Sequence, residues 1–157
     1  MQGLDDRQQD KQKETTMDQR SIDRITRSFA AQTMMQTLGA RLGEITPGEV
    51  RIEAPILPGL RQQQGFGHAG LTFAIGDTAA GYAALSLMPA DQDVLTAEIK
   101  INLMAPAKGD LLVATGRVIK PGRRLFVVSA EVVAWTDDKS TLIAILQGTM
   151  VPVAGFV

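Results

Sequence analysis

A helical stretch with almost no charge on any side is the feature that most limits how this chain can fold. Residues Gly65 to Leu87 read Gly-Phe-Gly-His-Ala-Gly-Leu-Thr-Phe-Ala-Ile-Gly-Asp-Thr-Ala-Ala-Gly-Tyr-Ala-Ala-Leu-Ser-Leu. The run opens as a glycine-rich turn and passes into a predicted helix over about Ala69 to Met88, stopped by Pro89. Ala69, Ala74, Ala79, Ala80, Gly81, Ala83 and Ala84 surround that helix. A helix that is apolar all round must be buried, and small residues let another backbone come close to its axis. An antiparallel sheet curled around the helix meets both requirements. One sheet has a single inner face, so full coverage calls for a second subunit.

The rest of the chain supplies such a sheet. Ser21 is the expected N-cap of a first helix running to about Leu38, with Ile22, Ile25 and Phe29 at helical spacing. Strands are predicted at Arg41–Ile45 and Glu49–Ile56, around Thr46-Pro47-Gly48. Four longer strands follow the apolar helix, at Val94–Met104, Asp110–Lys120, Leu125–Thr136 and Thr141–Val153. In the first of these, Leu95, Ala97, Ile99, Ile101 and Leu103 alternate with Thr96, Glu98, Lys100 and Asn102, which assigns the two sets to opposite faces. Turn signals between long β runs favour an antiparallel meander over parallel βαβ units. The fold class expected is α+β, with five or six antiparallel strands around one central helix in a single domain over residues 21–157. Residues 1–20 are rich in Gln, Asp, Lys and Thr and are expected to be a disordered or frayed arm. Met1 and Met17 are both candidate starts of the natural chain.

Composition removes several function classes. The formal net charge is −1, with 16 basic and 17 acidic residues, so nothing points to a nucleic-acid partner. The absence of Cys excludes disulfides, thiolate metal sites and a Cys nucleophile, and a single His excludes a multi-His metal centre. No metal and no organic cofactor is expected. No apolar stretch has the ~18 residues of a membrane span, and the N-terminus lacks an apolar signal core. A cytoplasmic protein is the default expectation.

Asp77 is the one carboxylate in the apolar run, and burying a lone acid needs a structural or chemical reason. Two readings are open from local pattern. Asp77 is an N-cap following Gly76, or it lies two turns inside a helix that begins near Ala69. In the second case Phe73, Ala74, Ala80 and Gly81 surround it, a small-walled apolar niche suited to a nucleophile or general base. His68 is either a turn residue that props its neighbours by hydrogen bonds or a participant in chemistry. Gly65, Gly67 and Gly70 either meet unusual backbone angles or expose amides at a helix start, where negative charge is attracted. Arg123 and Arg124, after Pro121-Gly122, are either a solvated hairpin tip or a contact for phosphate. Phe29, Met34, Met35 and Phe73 are core residues or the lining of an apolar pocket.

Gln62-x-x-Gly65-x-x-His68-Ala69-Gly70, followed by Asp77, resembles the hot-dog-fold acyl-CoA thioesterases, in particular the PaaI-type branch named for the phenylacetate pathway. Thr96-x-Glu98-x-Lys100-x-Asn102-Leu103-x-x-Pro106-Ala107-x-Gly109-Asp110 is similar to that family's strand and turn after the central helix. The resemblance implies hydrolysis of an acyl-CoA to a free acid and CoA at the interface of a homodimer, with two dimers often forming a tetramer. By position, Asp77 matches the catalytic carboxylate, acting as nucleophile or as base for water. Ala69 and Gly70 match the helix start whose amide polarises the thioester carbonyl. Gln62 matches an amide that helps place the thioester or the water, and His68 matches a positional His. Thr96 falls where some members carry a Ser contributed from the partner subunit. The resemblance makes Arg123 and Arg124 candidates for the CoA phosphates. Ala69 departs from the family's His-Gly-Gly, a change without penalty if its φ is negative. Gly81 lacks the hydroxyl that one branch places there. Three other readings stand beside hydrolysis: an acyl-CoA-binding protein without turnover; a dehydratase or hydratase, which would need an acid and a His poised together; and a purely structural dimer, which would leave the isolated Asp77 unexplained.

Overall fold

The computed structural model describes residues 17–155. Most of the expected arm, Met1 to Thr16, lies outside the described residues, but its last residues are not an arm. Asp18 caps a helix, α1 (Gln19–Ala31), and its carboxylate accepts the Ser21 amide at 3.0 Å and the Ser21 hydroxyl at 2.9 Å. Ser21, the expected cap, is instead captured by an acid three residues earlier, a geometry in which a carboxylate serves as well as a hydroxyl. The helix also fails to reach Leu38. Gln32 is extended (φ −77, ψ 97), and a separate short helix, α2 (Thr33–Thr37), follows it. The change of direction turns Met35 and Leu38 into the core, and the Gln32 side chain donates to the Tyr82 hydroxyl at 2.6 Å.

Beyond α2 come β1 (Arg41–Thr46), β2 (Glu49–Pro55), a single 3₁₀ turn (Pro58–Leu60), α3 (Ala69–Leu85), β3 (Gln92–Leu103), β4 (Leu111–Lys120), β5 (Phe126–Thr136) and β6 (Lys139–Ala154). The six strands form one antiparallel sheet in the order β1-β2-β4-β5-β6-β3. The inner face of the sheet packs on α3, which touches every strand from β2 to β6. This is the α+β hot-dog architecture. No helix among the described residues is long and apolar enough to cross a membrane.

Small residues on both partners make the packing possible. Ala79, Ala80, Ala83 and Ala84 are fully buried. A Cβ placed on Gly116 of β4 would fall on the backbone of Ala79 and Ala80, so helix and strand meet main chain to main chain. A Cβ on Gly76 would come within 2.9 and 3.0 Å of the Leu146 methyls. The C-terminal half of α3 is covered by α1. Arg24 donates to the carbonyls of Leu85 (2.7 Å), Met88 (3.1 Å), Pro89 (2.7 Å) and Gln92 (3.3 Å), satisfying orphan groups at and beyond the helix end with a charge of the favourable sign. Above it, Tyr82 donates to Ser28 at 3.0 Å, and its ring lies 6.3 Å from that of Phe29. Among the described residues the N-terminal half of α3 has no such cover, and Phe73 there is 37% exposed.

The alternation expected along β3 is broken. Thr96 pairs with Met150 and Glu98 with Thr149, so Ala97 is an extra residue, a bulge. The bulge reverses the phase. Thr96 shares the inner face with Ile99, Ile101 and Leu103 instead of joining Glu98 on the outer face, because its partner Met150 faces inward with Gly148, Leu146 and Ala144. Gly148 of β6 lies against the bulge, and a Cβ there would run into the Glu98 carbonyl and the Ile99 side chain.

Gly116→Ala should lower stability by about 3 kcal/mol or more, since neither backbone can retreat from the new methyl. Gly59→Ala, where a Cβ would meet nothing within 4 Å, is the control and should stay within ~0.5 kcal/mol of wild type in urea unfolding.

Candidate active site

Asp77 sits inside α3, not at its cap. The cap is His68, whose Nδ1 accepts the Gly70 amide at 2.8 Å while its own amide donates to the Leu60 carbonyl at 2.9 Å. His68 is thereby fixed as a helix prop. It lies nine residues, more than two turns, ahead of Asp77 on the helix path, so the two do not form an acid–His pair within one chain.

The loop that delivers the chain to this cap is held at both ends. Gly67 bridges Arg61 and Ala107, with its amide on the Ala107 carbonyl at 2.8 Å. Gln62 donates its amide to Phe66 and receives that of Gly65, whose φ of +89 suits glycine. The Gln62 side chain folds onto its own loop, accepting the Gln64 amide and donating to Gln64 Oε1 at 3.2 Å.

Of the four first-turn amides of α3, Gly70's is taken by His68 Nδ1, and those of Leu71 and Thr72 point to the His68 carbonyl at 3.0 and 3.4 Å. Among the described residues, Ala69's amide has no such partner. Of the two helix-start residues expected to polarise a carbonyl, Ala69 is therefore the one with a donor to spare. Ala69 is not among the positive-φ residues, so Ala in place of Gly carries no backbone strain there. Ala69 lines a cavity of about 400 Å³ between the helix start and the β3–β4 turn, together with Gln62, Gln64, Phe66, Thr72, Leu103 and Ile143.

Asp77 occupies a different place. Its carboxylate is partly buried on the side of α3 nearest β3, and the Thr96 hydroxyl donates to Oδ1 at 2.8 Å. Thr96 reaches the carboxylate of its own chain, whereas the resemblance implied a residue acting across a subunit boundary. The Met150 sulfur lies 3.3 Å from the same hydroxyl, an alternative acceptor behind it. Burial pushes the Asp77 carboxyl above its ordinary 3.8, and the Thr96 bond, which favours the charged form, offsets part of that rise.

The structure thus brings together two groups: Gln62, His68, Ala69 and Gly70 at the helix start, and Asp77 with Thr96 two turns on. Arg123 and Arg124 belong to neither. They are exposed on the β4–β5 hairpin, at the end of the sheet where Phe126, Met150 and Thr96 line up in register, opposite the end that holds the cavity. Phe29, Met34, Met35 and Phe73 do not line the cavity; Met35 is core and Met34 is 56% exposed. Among the described residues, no three His, Cys, Asp or Glu side chains are grouped to hold a metal ion. Thr72 was not expected at the site from sequence. The signal available was its spacing, three residues after Ala69 and so on the same side of the helix.

The Asp77 shift has a signed consequence for stability. Well below pH 3.8 the carboxyl is protonated in both folded and unfolded chains. As pH rises through the interval between 3.8 and the raised folded value, the folded protein must ionise a partly buried group, and stability is lost. Asp77→Asn should therefore melt above wild type at pH 7, with the gap closing below pH 4. Thr96→Val, lacking the compensating bond, should show a steeper loss than wild type over the same pH range by differential scanning fluorimetry.

Comparison with known proteins agrees with this architecture. Residues 64–141 match the model of the thioesterase superfamily. A thioesterase family protein from Silicibacter pomeroyi has a crystal structure that superposes with a TM-score of 0.84 at 40% identity, covering 86% of this chain and 99% of that one. The PaaI protein of the E. coli phenylacetic acid degradation operon shares the fold with a TM-score of 0.79 at 19% identity, over 89% of this chain and 98% of its own. A 1,4-dihydroxy-2-naphthoyl-CoA hydrolase of Listeria monocytogenes is 23% identical over 117 residues, 74% of this chain and 93% of that protein. With the helix-start motif, the six-stranded wrap and the helix-borne carboxylate in place, the chain belongs to the thioesterase superfamily.

Proposed function

We propose that this protein hydrolyses an acyl-CoA thioester to the free acid and CoA, at a site that two copies of the chain complete. The observation that carries the reading is the single carboxylate held inside an otherwise apolar helix by the Thr96 hydroxyl. The name of the Listeria relative, a CoA thioester hydrolase, points the same way.

Helix geometry supports the need for two copies. Eight residues separate Ala69 from Asp77, which at 1.5 Å per residue is roughly 12 Å along the axis. A reacting carbonyl must lie about 3 Å from both the amide that polarises its oxygen and the group that attacks its carbon. One chain cannot provide both. β3 is an edge strand of the sheet and runs beside Asp77, and an unpaired edge invites a second strand. Antiparallel pairing of β3 with its copy would lay the two α3 helices head to tail, with Ala69 of one protomer facing Asp77 of the other.

In this arrangement the Ala69 amide holds the thioester oxygen and takes up the charge that develops on it. Asp77 either attacks the carbonyl carbon, expelling CoA thiolate and leaving an acyl anhydride for water to open, or removes a proton from the water that attacks directly. Thr96 aims the carboxylate in both cases. Gln62, in the cavity lining, would steady the thioester or the water, and His68 would hold the helix start in register. Arg123 and Arg124, at the Asp77 end of the sheet, would meet the CoA phosphates. The Arg123→Ala/Arg124→Ala double variant should raise KM several-fold, by about tenfold for one lost charge-assisted contact, with kcat held.

Ala69 is the first helical residue, and His68 before it is already extended (φ −64, ψ 143). Proline is tolerated at such a position and lacks the amide N–H. Ala69→Pro should therefore fold normally and lose about 10²- to 10³-fold in kcat. Asp77→Asn should be equally folded and inactive. Mixing the two variants after unfolding and refolding should restore roughly a quarter of wild-type CoA release, because half of the randomly assorted dimers carry one intact site. No recovery, with both variants folded and dimeric, would mean the site is not shared between chains. Full activity of Asp77→Asn on every acyl-CoA tested would remove the hydrolytic reading.

A further inference from the structure

We propose that Thr72 reads the acyl group, selecting a compact acyl chain or ring that carries a hydroxyl or carbonyl oxygen close to the thioester. The inference rests on the hydrolytic reading above for the identity of the ligand, but not for the existence of the subsite.

Thr72 is the one polar residue among the described residues that is buried, at 1% exposure. Among the described residues, three of the threonines that have a full helical turn before them bond back to it, and Thr72 does not join them. Thr26, Thr37 and Thr78 each donate to the carbonyl four residues back, at 2.9, 3.1 and 2.7 Å. The Thr72 side chain makes no hydrogen bond among the described residues. Among the described residues the one sealed side-chain polar atom without a partner is Arg24 Nε, so the Thr72 hydroxyl, unbonded within the protein, keeps the little solvent contact that this residue has. That contact leaves the hydroxyl open to a space from which a ligand can bond to it.

That space is the cavity at the start of α3, which Thr72 lines with Ala69. Thr72 follows Ala69 by three residues, so it lies on the same side of the helix and roughly 4.5 Å further along the axis. An acyl group whose carbonyl oxygen sits on the Ala69 amide would extend past Thr72 into walls of Phe66, Leu103, Pro106 and Ile143. Those walls offer apolar contact and no charge. Among the described residues that line it, the polar side chains are Gln62, Gln64 and Thr72; the two glutamines bond to one another's loop, which leaves the Thr72 hydroxyl free to donate to a carbonyl oxygen or accept from a hydroxyl. A volume of about 400 Å³ is at the small end of ligand clefts and fits a short or single-ring acyl group.

The test uses matched pairs that differ by one oxygen: butyryl-CoA with 3-hydroxybutyryl-CoA, and benzoyl-CoA with 3-hydroxybenzoyl-CoA. For each, kcat/KM is measured in wild type, Thr72→Val and Thr72→Ser. Wild type should favour the hydroxylated member of at least one pair by about tenfold or more. Thr72→Val should abolish that preference by slowing the hydroxylated substrate while leaving the plain one equal or faster, and Thr72→Ser should keep it. The same ratios in wild type and Thr72→Val, or no preference in wild type for either pair, would overturn the proposal. Calorimetric binding of S-phenacyl-CoA and S-(3-hydroxyphenacyl)-CoA, thioethers that cannot be hydrolysed, separates the two readings. If no thioester turns over but the hydroxylated thioether binds tighter in wild type and not in Thr72→Val, hydrolysis fails and the subsite stands. Turnover with equal binding of the two thioethers in both proteins leaves hydrolysis standing and removes the subsite.

Discussion

The whole arrangement depends on two backbones touching. At Gly116 the main chain of β4 lies directly on the main chain of α3 at Ala79 and Ala80, with alanines on either side of the contact. A helix of ordinary side chains would stand about 10 Å from the sheet it covers, and six strands could not curl far around it. With its girth reduced to alanine and glycine, α3 becomes a thin axle that strands β2 to β6 can all reach. The same thinness explains why the helix cannot stand alone. It has too little side chain to shield its own backbone and depends on the sheet on one side and on α1 on the other.

Cover by α1 is partial, and the partiality leaves room for the proposed site. Arg24 and the Tyr82 network bind α1 to the C-terminal half of α3. Among the described residues the N-terminal half keeps one flank open, beside the edge strand β3, where Asp77 and Thr96 meet. Arg24 also sets the electrostatics of the two helix ends. It discharges the negative terminus with four bonds to carbonyls, while at the positive terminus the Ala69 amide has no partner among the described residues. Asp77 must ionise in surroundings that resist charge, and one hydroxyl from β3 offsets part of the resistance. A carboxylate so placed is more basic than a solvated one, which favours both attack on a carbonyl and abstraction of a proton.

Much of this is legible in the sequence because it is local. The apolar run, the turn residues and the long alternating strands place α3 and the sheet within a few residues of their observed bounds. The Gln62–Asp77 motif points to the helix start and to the carboxylate. What escapes the sequence is non-local. The bulge at Ala97 is invisible in β3, whose residues alternate without interruption; it arises from pairing with β6 and decides that Thr96 faces Asp77. The break at Gln32 depends on Tyr82, fifty residues away. The Asp18 cap loses to Ser21 by pattern, because either residue is a good cap and only the observed bonds rank them. Thr72 reads as one more helical threonine until its missing bond and its cavity are seen together.

Gly148 gives the bulge a wider meaning. It never approaches the carboxylate, yet any side chain at that position would press on the Glu98 carbonyl and on Ile99, the residues just past the extra one in β3. The strand could relieve the pressure by surrendering its bulge, and surrendering it would rotate Thr96 to the outer face, out of reach of Asp77. Gly148 and Thr96 are therefore epistatic partners on neighbouring strands. A descendant of this sequence that acquired a side chain at 148 would have to re-evolve the support of Asp77 from some other direction, even though neither Asp77 nor Thr96 had changed.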